Sequence, residues 1–469
     1  QFDRVVETQG FGYILLQGVR FDLVLLGVLL VIPLTLTPLI SIVTPIRPVW
    51  NLLLRVYLGL CFIGILFIEL SSPSFIAQYD LRPNYLWVEY LKYSKEVFST
   101  LWTAYKVPLL FSIVVTLVSA FFFDKKLNAS QQDQGRVPWP AAILLPPVLF
   151  VLCVMMGRST LDHRAVNPST VAFSSDPLVN TLPLSSAYSV LYAIYETRHE
   201  DTNVFPYGEM DKAKVFDIVK NTMTVEKSQF VSEELPTLHK QTALAEHQQP
   251  MNLVIILEES LGAEYVGALG GRQITPKLDA LSKQGIWFDN LYATGTRSVR
   301  GIEAMITGFT PTPSRSVVKL SKSQTDFFTV AELLKQYDYE SSFIYGGEAH
   351  FDNMRRFFAN NGFDKIVDEN DYVNPVFYGS WGASDEDLFN KAHETFSSYK
   401  KDQPFFSLVF TSSNHSPFDF PDGRIELIGD EKQTVDNAVK YADYALGEYI
   451  DKQRNSSSWD TKPYIYAAE

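Results

Sequence analysis

The stretch Asn252–Leu261, NLVIILEESL, decides the fold. Leu253 to Leu257 form an unbroken apolar run that ends in two adjacent carboxylates, Glu258 and Glu259. A run this short with no polar alternation reads as a strand buried on both faces. Further runs of β type lie at 286–292, 341–345, 404–411 and 463–467. Helical patterns fall between them. One is opened by Thr275-Pro276, with proline at the first helical position, and others cover 327–336, 351–361, 384–398 and 433–453. This alternation predicts an α/β domain, a mostly parallel sheet sandwiched by helices. Ligands of such sheets bind beyond the carboxyl ends of the strands, so the residues that follow each run are the candidates for chemistry.

Upstream the composition changes. The hydrophobic fraction of the 469 residues is 46%, an ordinary value, but the apolar runs crowd into the first 160. A helix needs roughly 20 mostly apolar residues to cross a bilayer. Four segments meet or approach that length: 23–43, 52–70, 107–123 and 141–156. Arg55 and Glu69 lie near the ends of the second, where long side chains reach the interface. Asp124-Lys125-Lys126 stops the third, and Trp139 anchors the start of the fourth. None is amphipathic, which speaks against core helices of a large soluble protein. The expected organisation is an α-helical transmembrane domain over 1–157, a juxtamembrane connector over 158–250 and the α/β domain over 251–469. The connector mixes Pro, Ser, Thr and charge with helical patterns at Ala187–Tyr195 and Met210–Val225.

Lys125, Lys126 and Arg136 place the loop 124–137 in the cytoplasm. The loop 71–106 and everything after about 157 then face outward, as do residues 1–20. A chain that opens outside with Gln1-Phe2-Asp3-Arg4 and no Met is expected to have one more helix upstream, five in all. The net charge of −13 argues against a general affinity for nucleic acid or anionic lipid surfaces. The two cysteines, Cys61 and Cys153, both lie in apolar runs, so the exported part is expected to hold together without a disulfide.

At the strand ends, Glu258-Glu259-Ser260 follows the first run. Adjacent carboxylates at the end of a buried strand are costly unless something positive meets them. They are read either as part of a divalent-metal site or as an exposed acidic pair. The second run leads to Ala293–Gly301, ATGTRSVRG, and then a helical stretch. Thr296 and Ser298 are hydroxyls at a helix start, where free N–H groups favour an anion, and Arg297 and Arg300 flank them. Either hydroxyl is a candidate nucleophile for phosphorus, or a simple helix cap. After 341–345 come Gly346-Gly347 and then His350, Asp352 and Asn353, which contact a headgroup or cap the next helix. His415 follows the run 404–411, at another strand end, as a candidate ligand for phosphate or metal.

These pieces in this order resemble the lipoteichoic acid synthase family, membrane phosphoglycerol transferases of the alkaline phosphatase–sulfatase superfamily. The residues that carry the resemblance are Glu259-Ser260, Gly295–Glu303, Phe343–Asn353, Gly362-Phe363-Asp364, Trp381-Gly382 with Asp385, and Ser413–Phe418. It covers 251 to the end, and it fits the membrane part, since that family has five helices ahead of an extracytoplasmic domain. The resemblance implies a multi-pass protein of the bacterial inner membrane with its catalytic domain facing the periplasm or cell exterior. It implies a phospholipid donor, a glycan, polymer or lipid acceptor, and a divalent metal, manganese before magnesium or zinc. By resemblance Glu259 is a metal ligand, Ser298 (with Thr296 as its rival) is the nucleophile and a second metal ligand, and His415 steadies the substrate phosphate. Arg297 and Arg300 would neutralise the phosphoryl oxygens.

The pattern departs from the Gram-positive members in three places. Phe351-Asp352-Asn353-Met354 supplies neither the Trp nor the Arg that shape their glycerol pocket. Serine stands at 298 where threonine is usual. The family places an Asp-His metal pair after its last core strand, where this chain reads Tyr466-Ala467-Ala468-Glu469: Glu469 is a candidate for the Asp position, and either the His lies beyond it or the metal site is incomplete. The competing expectations are a phosphoethanolamine transferase on the same fold, and a non-catalytic lipid-binding regulator lacking the complete metal site. A sulfatase is disfavoured because Ser298-Val299-Arg300-Gly301 lacks the proline of the C/S-x-P-x-R block.

Overall fold

Among the described residues seven strands form: β1 (Leu253–Glu258), β2 (Glu340–Tyr345), β3 (Lys365–Val367), β4 (Tyr378–Gly379), β5 (Gly382–Ala383), β6 (Phe405–Phe410) and β7 (Tyr464–Ala468). The computed structural model describes residues 2–90, 101–102, 105–132, 137–199, 210–242, 250–312, 314–400, 403–415, 417–455 and 464–468. Five strands make one sheet in the order β3-β2-β6-β1-β7, and every pairing in it is parallel. β1 lies between β6 and β7, with Leu257 in register with Phe410 of β6 and Glu258 in register with Ala468 of β7. β4 and β5 form a separate antiparallel pair.

Both faces of the sheet are covered, which is why β1 needed no polar alternation. Val254 and Ile256 pack with Leu388, Phe389, Tyr441 and Leu446 of the helices Asp385–Ser398 and Val435–Arg454. Ile255 and Leu257 pack on the other face with Val299, Ile302, Phe357 and Phe358 of the helices Ser298–Thr307 and Met354–Asn360. The alternation of side chains along a strand therefore sends Glu258 toward the first face and Glu259 toward the second.

Two local expectations are corrected. The run 286–292 forms no strand, and Ile286, Phe288, Leu291 and Tyr292 are exposed. β propensity makes a strand only where a neighbour accepts the backbone hydrogen bonds, and no described strand lies beside this run. The helix expected over 351–361 is broken, because Asp352 (φ 52°) and Asn353 (φ 63°) are left-handed and the helix restarts at Met354.

The helices Phe11–Ser41, Arg47–Tyr79, Lys106–Gln132 and Trp139–Arg158 are long and apolar enough to cross a membrane. They extend past the apolar windows because polar end residues continue the turns. Phe11–Ser41 lies against Trp139–Arg158, where a Cβ on Gly27 would come within 2.8 Å of the Cys153 carbonyl, so glycine permits the close approach. Arg47–Tyr79 lies against Lys106–Gln132, with the rings of Phe62 and Phe123 stacked at 4.3 Å. Large side chains such as Leu16, Phe111 and Leu144 face outward, as a lipid solvent requires.

Residues 159–199 join the two parts through polar contacts. Asn167 Nδ2 donates to the His350 carbonyl (3.0 Å), Ser169 Oγ accepts from the Arg356 N–H (2.8 Å), and Asn180 Nδ2 donates to Asn360 Oδ1 (2.8 Å). The expected pattern Ala187–Tyr195 lies within the helix Ser186–His199, and Met210–Val225 contains the helix Lys212–Thr222.

Candidate active site

Glu259 stands just past the carboxyl end of β1 and is buried. Its N–H donates to Thr411 Oγ1 (2.9 Å), and its carbonyl accepts from Asn414 Nδ2 (3.1 Å). Thr411 and Asn414 follow β6, so two neighbouring strand ends fix the position of this backbone. The carboxylate accepts one hydroxyl on each oxygen, Ser260 Oγ on Oε1 and Ser298 Oγ on Oε2, both at 2.9 Å. Ser260 takes a positive φ of 51° to make that turn.

Ser298 is the first residue of the helix Ser298–Thr307, so its hydroxyl sits among free N–H groups at the positive end of the helix. Thr296 is in the preceding loop, exposed, and makes no side-chain hydrogen bond among the described residues. Arg297 is exposed as the extended N-cap residue. Arg300 departs from its expected role. Its guanidinium donates to Glu303 Oε1 (2.7 Å), to the Thr312 carbonyl (2.9 Å) and to the Ser314 carbonyl, so its donors hold the loop that follows the helix. The buried Glu303 draws it there, since an unpaired buried carboxylate would be far more costly.

No cationic side chain pairs with Glu259 among the described residues. Across the sheet, Glu258 is fully buried, and burial together with Asp385, Asp443 and Glu259 pushes its carboxyl well above the usual range. Burial also raises Asp385, against the Ser412 and Ser413 N–H groups that favour its charge. The strand end is thus rich in carboxyl groups and poor in cations. Glu259 Oε2 and Ser298 Oγ, two hard oxygen donors side by side, fit a divalent cation as a partial ligand set. Among the described residues no three of His, Cys, Asp and Glu gather at a point fit for a metal. β7 places Ala468 opposite Glu258, and Glu469 lies outside the described residues.

His415 lies across a cavity of about 230 Å³ lined by Ser412, Ser413, Ala383, Ser380, Asp419 and Trp381. The Trp381 and His415 rings are 4.0 Å apart. Trp381 is held there by glycines. Gly382 has φ +108°, and a Cβ on it would lie 2.1 Å from the Gly346 carbonyl oxygen, so the β4–β5 turn touches the loop after β2 only without side chains. Asp385 closes the same arrangement from behind: Oδ1 accepts from the N–H groups of Ser412 (3.0 Å) and Ser413 (3.1 Å).

The residues after β2 separate. His350 is buried at the rim of this region, with Nε2 3.7 Å from Glu348 Oε2, and burial lowers its pKa. Asp352 and Asn353 do not join it. Asp352 Oδ1 pairs with Lys319 Nζ (2.6 Å), and Asn353 Nδ2 donates to Glu196 Oε1 and the Lys319 carbonyl (both 3.0 Å). Their left-handed backbone turns them toward the segment that arrives from the membrane helices. Thr411, Asn414, Asp385 and Trp381 were not among the candidate site residues. For Thr411 and Asn414 the available signal was the end of the run 404–411, and for Trp381 and Asp385 it was the motif that carries the family resemblance. Arg164, which also reaches this region, carried no local signal.

The geometry agrees with relationships to known proteins. Residues 251–461 match the family model described as Sulfatase. The lipoteichoic acid synthase-like YvgJ of Bacillus subtilis is 25% identical over 274 residues, covering 54% of this chain and 44% of that protein. Phosphoglycerol transferase I of Xanthomonas axonopodis pv. citri is 26% identical over 236 residues, covering 45% of this chain and 32% of that protein. The chain therefore spans about a third to less than half of the length of these relatives. The crystal structure of a protein in the alkaline phosphatase superfamily from Vibrio parahaemolyticus superposes with a TM-score of 0.54 at 57% identity, covering 56% of this chain and 64% of that one. Residues 251–461 accordingly form a sulfatase-like domain of the alkaline phosphatase superfamily, preceded, among the described residues, by four helices of membrane-crossing length.

Proposed function

We propose that the chain is a membrane-bound, metal-dependent transferase that moves phosphoglycerol from phosphatidylglycerol to an extracytoplasmic glycan or polymer through a covalent intermediate on Ser298. The observation that carries this reading is the 2.9 Å hydrogen bond from Ser298 Oγ to Glu259 Oε2 at a helix N-terminus. A hydroxyl with an adjacent proton acceptor, among N–H groups that favour an anion, suits attack on a phosphodiester. The relative called phosphoglycerol transferase I supports phosphoglycerol as the group moved.

Superfamily members generally use a divalent metal, and we propose manganese, with magnesium or zinc as the alternatives. Bound by Glu259 and Ser298, the ion would lower the hydroxyl pKa and offset phosphoryl charge. The chain's own groups do the rest. The Ser298 proton passes to Glu259 Oε2 as Oγ bonds to phosphorus, the bond from phosphorus to the diacylglycerol oxygen breaks, and that oxygen takes a proton from water, to which Glu259 returns its own, so diacylglycerol leaves as the alcohol. An acceptor hydroxyl then attacks the phosphoserine and returns Ser298 to its starting form. His415 and the helix N–H groups hold the phosphoryl oxygens, the main electrostatic contribution in phosphoryl transfer.

Reach supports a lipid donor. The helix Trp139–Arg158 ends six residues before Arg164, whose guanidinium touches Glu348. Six extended residues span at most about 20 Å, so the backbone of Arg164, whose side chain meets Glu348 and the Trp381 ring, lies within that distance of the helix end. Lys125 and Lys126 at the opposite ends of the helices support an extracytoplasmic site.

The test is diacylglycerol release from phosphatidylglycerol by the intact protein in mixed micelles. Ser298→Ala is expected to abolish it, and chelation to stop it until manganese is restored. Release that survives Ser298→Ala and disappears in Thr296→Ala would refute the assignment.

A further inference from the structure

The sequence that leaves the helix Trp139–Arg158 sends one cation into the catalytic domain. Arg164 Nη1 donates to Glu348 Oε2 at 3.3 Å. Its guanidinium carbon lies 3.7 Å from the centre of the Phe351 ring and 5.1 Å from that of Trp381. The Trp381 ring in turn lies 4.0 Å from that of His415. Tyr345 stands between this group and the nucleophile, and its buried phenol feels both Glu259 and Arg164.

The surroundings of Arg164 have a definite chemistry. Two aromatic faces and a buried carboxylate form a receptacle for a cation. A second carboxylate, Glu369, sits close enough to Glu348 and Asp162 to be pushed up to about 7, chiefly by burial, and it accepts the Tyr378 hydroxyl at 2.6 Å. His350 Nε2 is buried here without a hydrogen-bond partner among the described residues. An organic ammonium would suit such a place, but the chain fills it with its own guanidinium. A primary ammonium headgroup would have to displace Arg164 or sit against it. A neutral headgroup with hydroxyls finds instead the free N–H donors of Arg164, the Glu348 acceptor and the open His350 nitrogen.

We propose that Arg164 determines donor specificity: it occupies the aromatic–carboxylate receptacle, so that a neutral polyol headgroup is accepted and a primary ammonium headgroup is excluded. This rests on the transferase reading above. A residue that merely fastened the membrane-proximal segment to the catalytic domain would affect all donors alike.

The experiment gives the intact protein phosphatidylglycerol or phosphatidylethanolamine and measures kcat/KM for diacylglycerol release from each. The wild-type protein is expected to prefer phosphatidylglycerol. Arg164→Ala should lower kcat/KM for that lipid ~10- to 100-fold, the loss of one or two charge-assisted hydrogen bonds, while leaving or raising the value for phosphatidylethanolamine. Arg164→Lys keeps a cation in place and should keep the preference. An equal loss on both lipids, or an unchanged ratio, overturns the proposal. Should Arg164→Ala not fold, inhibition of the wild-type enzyme decides: glycerol phosphate should inhibit at least ~10-fold better than ethanolamine phosphate, and equal inhibition overturns the proposal. Failure of the wild-type protein to use either lipid would instead sink the transferase reading, and this inference with it.

Discussion

Replacing Asp385 separates the hydrogen-bonding role of a buried carboxyl from its charge. Asp385 is fully buried at the start of the helix Asp385–Ser398, and its Oδ1 alone accepts two N–H groups, from Ser412 and Ser413. Its own N–H donates to Ser413 Oγ at 3.1 Å. Oδ2 is buried without a hydrogen-bond partner among the described residues, and so is Glu258 Oε2. Both carboxyl groups are pushed above their ordinary range, so a proton on this pair is favoured. Asp385→Ala would orphan two buried N–H groups at about 1–3 kcal/mol each, partly offset by removing a carboxyl that is costly to bury. The net expectation is a loss of about 2–4 kcal/mol, or roughly 4–15 °C in Tm for a domain of this size. Because His415 follows Ser413 by two residues, transfer should fall as well. Asp385→Asn keeps the Oδ1 acceptor in an uncharged group and should cost less than about 1 kcal/mol. Thermal unfolding of the intact protein in detergent, read alongside diacylglycerol release, checks both. An Asn variant as damaged as the Ala variant would refute the favoured proton on this pair, and an Ala variant with unchanged Tm would refute the value assigned to the two N–H bonds.

Two further predictions concern stability. Asn361 is buried and joins three segments, accepting from the Phe327 N–H (2.9 Å) and donating to the Ser323 (3.0 Å) and Phe357 (2.9 Å) carbonyls. Asn361→Ala should therefore destabilise by roughly 2–5 kcal/mol in thermal or urea unfolding, and a loss under about 1 kcal/mol would contradict this account. Asp443 caps the helix Pro276–Leu281 through the Lys277 and Leu278 N–H groups, and burial raises its pKa to about 6. Its folded value lies above its unfolded value, so its contribution is present below about pH 4 and is lost as pH rises to about 6, up to about 3 kcal/mol. Asp443→Asn should flatten the pH dependence of Tm in that window.

Strands β1, β2, β6 and β7 and the membrane-length helices were legible because burial writes itself locally, whereas the three-residue edge strand β3 is too short to leave such a run. The apolar run Leu253–Leu257 and the four long hydrophobic stretches report their own environment whatever surrounds them. The places of Glu259 and Ser298 at element ends were legible for a related reason, since each directly adjoins an element whose end the sequence marks. What the tertiary structure decided were the partners. Arg300, flanking Ser298 in sequence, is claimed by Glu303 and the loop beyond it, and Asp352 and Asn353 are claimed by Lys319 and Glu196. The run 286–292 had strand propensity and no neighbour to pair with. Arg164 lies 184 residues from Glu348, and nothing near it in sequence announces that contact. Periodicity and capping are properties of a few adjacent residues, whereas the destination of a charged side chain depends on which opposite charge the fold leaves buried within its reach.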